Sequence, residues 1–377
     1  MKKKTLLLLS VSAGAGHVRA AQALEACVNE KYSGWKAIHL DVMDFVPKIF
    51  RKLYADSYVK VVQSHPEFWG YLYNHTDKVY SDNSIIKKLR VAIERLNTRK
   101  LDKKIAEISP DCIISTHFLP PEMYSRKFDK GEKLPPFWVQ VTDYDIHALW
   151  IHKHMAGYFV GSDEVACRLA DRGILADSIH VTGIPIMPVF SKKFDKKKIH
   201  KELSLDPKRK TALLMSGGCG IGSIDEVSER LLQGNKDLQI IALAGRNEKL
   251  LLSLQKIAEK YSGRMIPMGF TTTIERLMSV SDIAVTKPGG LTTSECLAMG
   301  LPLIVISPIP GQEERNSDYL LEYGAGLKAH DTAGLEYRVK RILEDKKLFE
   351  TMKKNALLLG KPDAGYRVLE KALGEKI

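Results

Sequence analysis

The sequence predicts an α/β protein with two parallel sheets, one in each half of the chain. Short apolar runs that end in polar or glycine-rich turns recur as far as residue 310, interleaved with helix-period stretches. Glycines cluster directly after strand-like runs at 14–16, 217–222 and 289–290. The 377 residues are too many for one ordinary core, and they fit two domains of roughly 150–200 residues.

The first element lies in MKKKTLLLLSVSAGAGHVRAAQAL (1–24). Its lysines, leucines and small residues have the layout of a secretory signal peptide, which needs an apolar core of about 7–15 residues and a small-x-small cleavage site. Thr5–Leu9 with Val11 reaches only the bottom of that range. The residues after the loop read as folded structure. Ala20, Ala21, Leu24, Ala26 and Val28 suit one helix face, and AIHLDVMDF (37–45) is a second strand. Strand, glycine loop, helix and strand form one βαβ unit, which needs the leucine run as its first strand. The Gly14-Ala15-Gly16 loop also suggests a dinucleotide site with Asp41 as ribose acid, and so an NAD-binding oxidoreductase. Against that, Val18-Arg19 stands where a third small residue belongs. His17 comes directly after the loop at the mouth of a strand, where open sheets place ligands. An imidazole there can take a proton near neutral pH.

The stretch FVPKIFRKLYADSYVKVVQSHPEFWGYLYNHTDK (45–78) is aromatic and basic together. Residues 46–104 hold 13 Lys/Arg against 6 Asp/Glu, within a formal net charge of +12 for the chain. This mixture suits an interfacial segment, with rings at the headgroup level and lysines on acidic lipid. IIKKLRVAIERLNTRKLDKKI (85–105) continues as a basic amphipathic helix. Segment 45–104 is therefore expected to meet an anionic membrane surface. No apolar run approaches the ~20 residues of a membrane-spanning helix. No nucleic-acid recognition motif accompanies the charge, so nucleic acid is not an expected partner. The five cysteines are scattered without metal-ligand spacing, as in a reduced cytosolic protein.

DCIISTH (111–117) and FWVQVTDYD (137–145) read as parallel strands ending in polar groups. In a parallel sheet they bring His117, Asp143 and His147 to the edge that carries His17. Asp143-Tyr144-Asp145 resembles the metal-holding DxD of another transferase fold, but the rest of the chain handles phosphate without a metal. GYFVGSDEVACRLADRGI (157–174) is a strand and a helix with Ser162 as N-cap. IHVTGIPIMPVF (179–190) ends the first domain, expected over 1–190. A polar linker is expected over 191–210.

TALLMSGGCGIGSIDEVSERLL (211–232) opens the second domain with a strand, a glycine-rich loop and a helix. It lacks the GKS/GKT of a P-loop, but its glycines let backbone amides approach an anion. QIIALAGRN (239–247) and MIPMGF (265–270) are further strands with their loops. In AVTKPGGLTTSECLAMG (284–300), Gly289 and Gly290 leave a helix N-terminus open to phosphate, and Glu295 lies one turn in, where it can accept ribose hydroxyls. LPLIVISPIPGQEERN (301–316) is a buried strand running into a loop with Gln312 and Glu313. This domain is expected over 211–360, with a C-terminal helix over 361–377 packing back on the first domain.

With these motifs in place, the sequence resembles a known family, the lipid glycosyltransferases that include monogalactosyldiacylglycerol synthases and processive diacylglycerol glucosyltransferases. They are relatives of the cell-wall enzyme that adds N-acetylglucosamine to the undecaprenyl-linked precursor. SAGAGHVRAAQAL, HPEFWGYLYN, STHFLPPE, VTDYDIHALW, VTGIPIMPVF, LMSGGCGIGS, LAGRN, MGF, TKPGGLTTSECLAMGLPLIV and PIPGQEERN occur in the family's order across residues 10–316. The resemblance implies a GT-B fold, two Rossmann-like domains with parallel sheets facing across a cleft. It implies inverting hexose transfer from a UDP-sugar to a membrane lipid, most readily diacylglycerol, with no catalytic metal and no resident cofactor.

Carried over by motif, His17 is the candidate base and Asp143 the second candidate or its orienting partner. Gly218, Gly220, Gly290, Leu291 and Thr292 would hold the diphosphate. Met268, Gly269 and Phe270 would border the uracil, Arg246 and Asn247 would lie along the donor, Glu295 would take the ribose, and Gln312 and Glu313 the sugar hydroxyls. Gly16, His117 and Trp69 are the acceptor-side candidates. The implied location is the cytoplasmic face of the cell membrane, peripherally bound. A polyprenyl-directed cell-wall transferase and a UDP-sugar epimerase of the same fold are the alternatives. Many members have a glycine-richer first loop, where this chain has Ala13 and Ala15. An Arg often comes after the loop histidine, where this chain has Val18.

Overall fold

The computed structural model describes residues 3–12, 14–47, 50–51, 70–71, 73, 77, 98–215 and 224–375. Most of the aromatic-basic segment 45–104 lies outside the described residues, as do Trp69, Gly218 and Gly220. The chain divides into two compact units. The first comprises Met1–Pro188, Pro310–Gln312 and Lys361–Ile377, and the second Val189–Ile309 and Glu313–Gly360.

In the first unit the described strands are β1 (Lys4–Ser10), β2 (Trp35–Asp41), β3 (Cys112–Ser115), β4 (Phe137–Gln140), β5 (Gly157–Val160) and β6 (Ile179–Val181). They form a parallel sheet of order β2-β1-β3-β4-β5-β6. The leucine run is the strand β1, inside the sheet. Because side chains alternate along a strand, its four leucines serve two cores. Leu6 and Leu8 pack with Ala21, Leu24, Val368 and Leu369, whereas Leu7 and Leu9 pack with Val42, Leu101, Met123 and Tyr124. All four are fully buried, each contributing roughly 1.5–3 kcal/mol of transfer free energy. One face is covered by α1 (Ala15–Lys31) and the helix Ala364–Leu373, which places residues 361–377 in this unit. Gly183 is what lets that return segment approach. Its φ is +94°, and a Cβ there would lie 2.6 Å from the Lys361 Cβ.

In the second unit the described strands are β7 (Lys210–Met215), β8 (Leu238–Leu243), β9 (Met265–Met268), β10 (Ile283–Thr286), β11 (Leu303–Ile306) and β12 (Gly326–Ala329). Their order is β12-β11-β10-β7-β8-β9, again parallel. The short edge strand β12 has no counterpart among the expected elements. Four residues, GLKA, are too few to show a period. Residues 191–210, expected as a linker, carry the helix Lys196–Glu202 and belong to this unit.

Each sheet has a switch point where successive connections leave in opposite directions, and a crevice opens there beyond the strand ends. It lies between β1 and β3 in the first unit and between β7 and β10 in the second. The first turn of α1 with His17 and the STH turn after β3 stand at the first switch point, and the 287–290 turn after β10 stands at the second.

Candidate functional site

The first crevice is built around His17. The helix α1 begins at Ala15, earlier than the apolar pattern suggests, because Gly14 takes the extended N-cap position with φ −170°. Gly16 and His17 therefore lie in its first turn rather than in a loop. Thr116 stands just after β3 and holds this turn twice. Its hydroxyl donates to the His17 carbonyl oxygen at 2.9 Å, and its own carbonyl oxygen lies 3.0 Å from His17 Nδ1. Thr142, after β4, places its Oγ1 2.9 Å from the same nitrogen. A carbonyl oxygen only accepts, so Nδ1 carries the hydrogen and Nε2 keeps the lone pair.

Burial lowers the His17 imidazole below its ordinary value of 6.5, and the negative charge of Asp143 and the Thr116 hydrogen bond oppose that shift. His17 is thus neutral at neutral pH. Asp143 is half-buried at the end of the segment leaving β4, where its field favours an imidazolium once a proton arrives. His117 meets His17 edge-on, with ring centroids 4.5 Å apart. It is 2% exposed, and its Nδ1 accepts from the Leu119 amide at 3.0 Å. Burial, and then the neighbouring His17, hold it well below 6.5. Phe118 stacks on His117 at 4.3 Å, and Trp150 stands 6.2 Å from His17 and 6.1 Å from His117. These rings make an apolar wall beside the His17 imidazole.

The other polar groups of this edge have structural partners. Asp41 accepts from the amides of Met43 at 3.0 Å and Ser12 at 3.3 Å, so it braces the first loop. Asp145 is 4% exposed and pairs with Arg168 at 3.3 Å, which separates its role from that of Asp143. His147 accepts from the Leu149 amide at 3.2 Å and lies 4.7 Å from the Tyr73 ring. Asp77 accepts from both terminal nitrogens of Arg172 at 3.0 and 3.1 Å and from the Ala148 amide at 3.0 Å. Ser162 caps its helix through the Val165 amide at 3.4 Å, as expected.

In the second unit, Gly289 is the N-cap of the helix Gly290–Ala298, so Gly290, Leu291 and Thr292 form its first turn. Glu295 lies in the second turn and is 7% exposed. Glu313 closes the loop after β11 by accepting from the Ile309 amide at 2.7 Å. Its other carboxylate oxygen stands 4.0 Å from where a Gly289 Cβ would be. That helix end and a carboxylate are therefore adjacent.

Three strands across from β10, Met268 ends β9 and receives the Ala244 amide on its carbonyl at 2.8 Å, which draws the loops after β8 and β9 together. Phe270 is 64% exposed, with the Arg246 guanidinium 5.1 Å from its ring centroid. Asn247 is the N-cap of the helix Glu248–Lys260, its side chain accepting from the Leu250 amide at 3.0 Å. Arg246 and Phe270 come after β8 and β9 and the Gly290 helix after β10, so two to three strand spacings of about 4.8 Å lie between their strands.

Thr116, Thr142, Phe118 and Trp150 are site residues that the motif reading leaves out. The available signal is position: Thr116 and Thr142 each stand just past a buried strand and directly precede a candidate residue.

Residues 17–186 match the family model of monogalactosyldiacylglycerol (MGDG) synthase, and residues 222–368 that of the glycosyltransferase family 28 C-terminal domain. A processive diacylglycerol beta-glucosyltransferase of Bacillus licheniformis is 31% identical over 358 residues, 93% of this chain and 90% of that protein. The Bacillus subtilis enzyme of the same name is 29% identical over 379 residues, 99% of this chain and 95% of its own.

Among solved structures, UDP-GlcNAc 2-epimerase from Neisseria meningitidis bound to UDP-GlcNAc has a TM-score of 0.64 at 14% identity, covering 99% of this chain and 100% of that one. MurG of Acinetobacter baumannii has a TM-score of 0.59 at 12% identity, with the same coverages. These two show a shared fold, the GT-B arrangement of two parallel α/β sheets. The chain belongs to the lipid glycosyltransferase family of the monogalactosyldiacylglycerol synthases and processive diacylglycerol glucosyltransferases.

Proposed function

We propose that the protein transfers a hexose from a UDP-sugar to diacylglycerol at the cytoplasmic face of a membrane, with inversion at the anomeric carbon and without a catalytic metal. The observation that carries this reading is the His17 arrangement, a neutral imidazole with Nδ1 committed and Nε2 holding the lone pair that can take a proton. The acceptor hydroxyl oxygen forms a bond to the anomeric carbon as the bond from that carbon to the diphosphate oxygen breaks. The bonding pair leaves with UDP, and the hydroxyl proton passes to His17 Nε2. Backbone amides at 290–292 and the dipole of their helix receive the charge developing on the diphosphate.

Phe270 and Arg246 offer a face for the uracil, and Glu295 a carboxylate for the ribose. The Bacillus relatives are named as beta-glucosyltransferases, and a β product from an α-linked nucleotide sugar requires one inverting displacement. The basic-aromatic segment 45–104, outside the described residues for most of its length, is the proposed membrane contact.

The test is to incubate the protein with a panel of UDP-sugars and mixed-lipid vesicles containing diacylglycerol, with a chelator present, and to identify the product by mass and anomeric linkage. A β-glycosyl diacylglycerol supports the proposal. Transfer only to a polyprenyl-linked acceptor, or conversion of the UDP-sugar without transfer, would replace it with one of the alternatives of the same fold.

A further inference from the structure

The geometry points to Thr142 as a positioning residue for the transfer reaction: with the Thr116 carbonyl it forms a two-point clamp on His17 Nδ1 that selects the tautomer and aims Nε2. The inference rests on the proposed role of His17 as base. Three observations carry it.

First, both oxygens lie within hydrogen-bond distance of one nitrogen, 3.0 Å for the Thr116 carbonyl and 2.9 Å for the Thr142 hydroxyl. The carbonyl has no hydrogen to give, so the shared hydrogen is on Nδ1, and the Thr142 oxygen is its second acceptor.

Second, the clamp is built into the sheet. Thr116 is fully buried and Thr142 is 4% exposed. Thr116 is anchored through its amide to the Leu9 carbonyl at 3.0 Å, and through its hydroxyl to the His17 carbonyl at 2.9 Å. The clamp thus joins the ends of β1 and β3, the strands that flank the switch point, to the end of β4, the next strand along.

Third, the titratable groups that face His17 among the described residues have other roles. His117 has its Nδ1 occupied by the Leu119 amide, and Asp143 acts through its charge. A wrong tautomer would turn an N–H toward the acceptor hydroxyl and leave His17 unable to take its proton. Two acceptors on Nδ1 also stabilise the imidazolium formed after proton transfer, since its Nδ1–H bonds strengthen when the ring is charged.

The experiment compares Thr142→Val and Thr142→Ser with the wild type and adds ¹⁵N NMR of the His17 ring. Thr142→Val is expected to lower kcat by about 10-fold or more with KM for the UDP-sugar unchanged. It is also expected to move the acid limb of the kcat profile to lower pH, because the imidazolium loses an acceptor. Thr142→Ser is expected to restore both. A Thr142→Val enzyme with wild-type kcat, or with reduced kcat and an unmoved acid limb, would overturn the inference.

The NMR readout needs no variant. Wild-type protein above the His17 titration is expected to show a protonated Nδ1 and a bare Nε2, and the opposite tautomer would overturn the clamp even if Thr142→Val does not fold. The reading of His17 as base fails separately, through an active His17→Ala enzyme whose parent still shows the expected tautomer.

Discussion

The imidazoles of His17 and His117 meet edge-to-face, with ring centroids 4.5 Å apart, at the carboxyl ends of β1 and β3. Two cations at that separation in a buried site repel strongly, so the contact persists while both rings are neutral. It makes the site sensitive to acid in a direction that can be stated.

Burial places the folded-state pKa values of His17 and His117 below 6.5, and it shifts His39, His147 and His180 the same way. The unfolded chain therefore binds more protons in acid. The stability these groups contribute is fully present above pH 6.5 and is lost as the pH falls below it. Melting temperatures measured from pH 7.5 to 5.5 are expected to fall. His117→Asn, which keeps an acceptor for the Leu119 amide, is expected to flatten that fall. An equal slope in wild type and variant would mean that His117 is not a source of it.

Glu295→Gln removes the charge from the proposed ribose acceptor and keeps its volume. Hydrogen bonds to a charged group are worth about 1.5–3 kcal/mol, so UDP affinity is expected to drop roughly 10- to 100-fold by titration calorimetry. Inorganic pyrophosphate, which has no ribose, is expected to bind as before. A uniform loss for both ligands would assign Glu295 to the diphosphate end instead.

Phe270 is an exposed ring under a guanidinium, an arrangement with little to contribute to the core. Stacking of a base on an aromatic side chain is worth about 1–3 kcal/mol. Phe270→Ala is expected to weaken UDP binding by roughly 5- to 100-fold while leaving the melting temperature within about 1 °C of wild type. A large loss of thermal stability would place the ring in a structural role.

Gly183 has φ +94°, and a Cβ there would press on Lys361 and Ala364 of the returning C-terminal segment. Gly183→Ala combines left-handed strain of about 1–2 kcal/mol with that contact. Chemical denaturation is expected to show a lower midpoint. Limited proteolysis is expected to cut the 361–375 segment earlier than in the wild type.

Much of the architecture was legible in the residues. The leucine run of β1 shows itself as a strand because a glycine loop, a helix face and a second strand come after it. The strands ending at Ser115, Gln140, Thr286 and Ile306 show as short apolar runs that stop at polar or glycine turns. β12 was not legible, since GLKA is an edge strand stabilised by pairing with β11 rather than by a pattern of its own.

At the site, His17 and the residues of the Gly290 helix stand in recognisable motifs. Thr116 and Thr142 stand in the STHFLPPE and VTDYDIHALW stretches, but the motifs do not show their roles, which come from a carbonyl and a hydroxyl that meet one ring nitrogen only when three strands lie side by side. Asp41 and Asn247 also have structural roles that the sequence does not announce, since their side chains cap a turn and a helix within the fold.

The most direct test of His17 as the base is His17→Ala, assayed for transfer from a UDP-sugar to diacylglycerol and, in the same preparation, for UDP binding. General base catalysis is worth about 10²–10⁴-fold in rate, so kcat is expected to fall by that factor while UDP affinity stays at the wild-type value. Turnover that survives the substitution unchanged would contradict the mechanism, and the base would have to be sought elsewhere, first at Asp143.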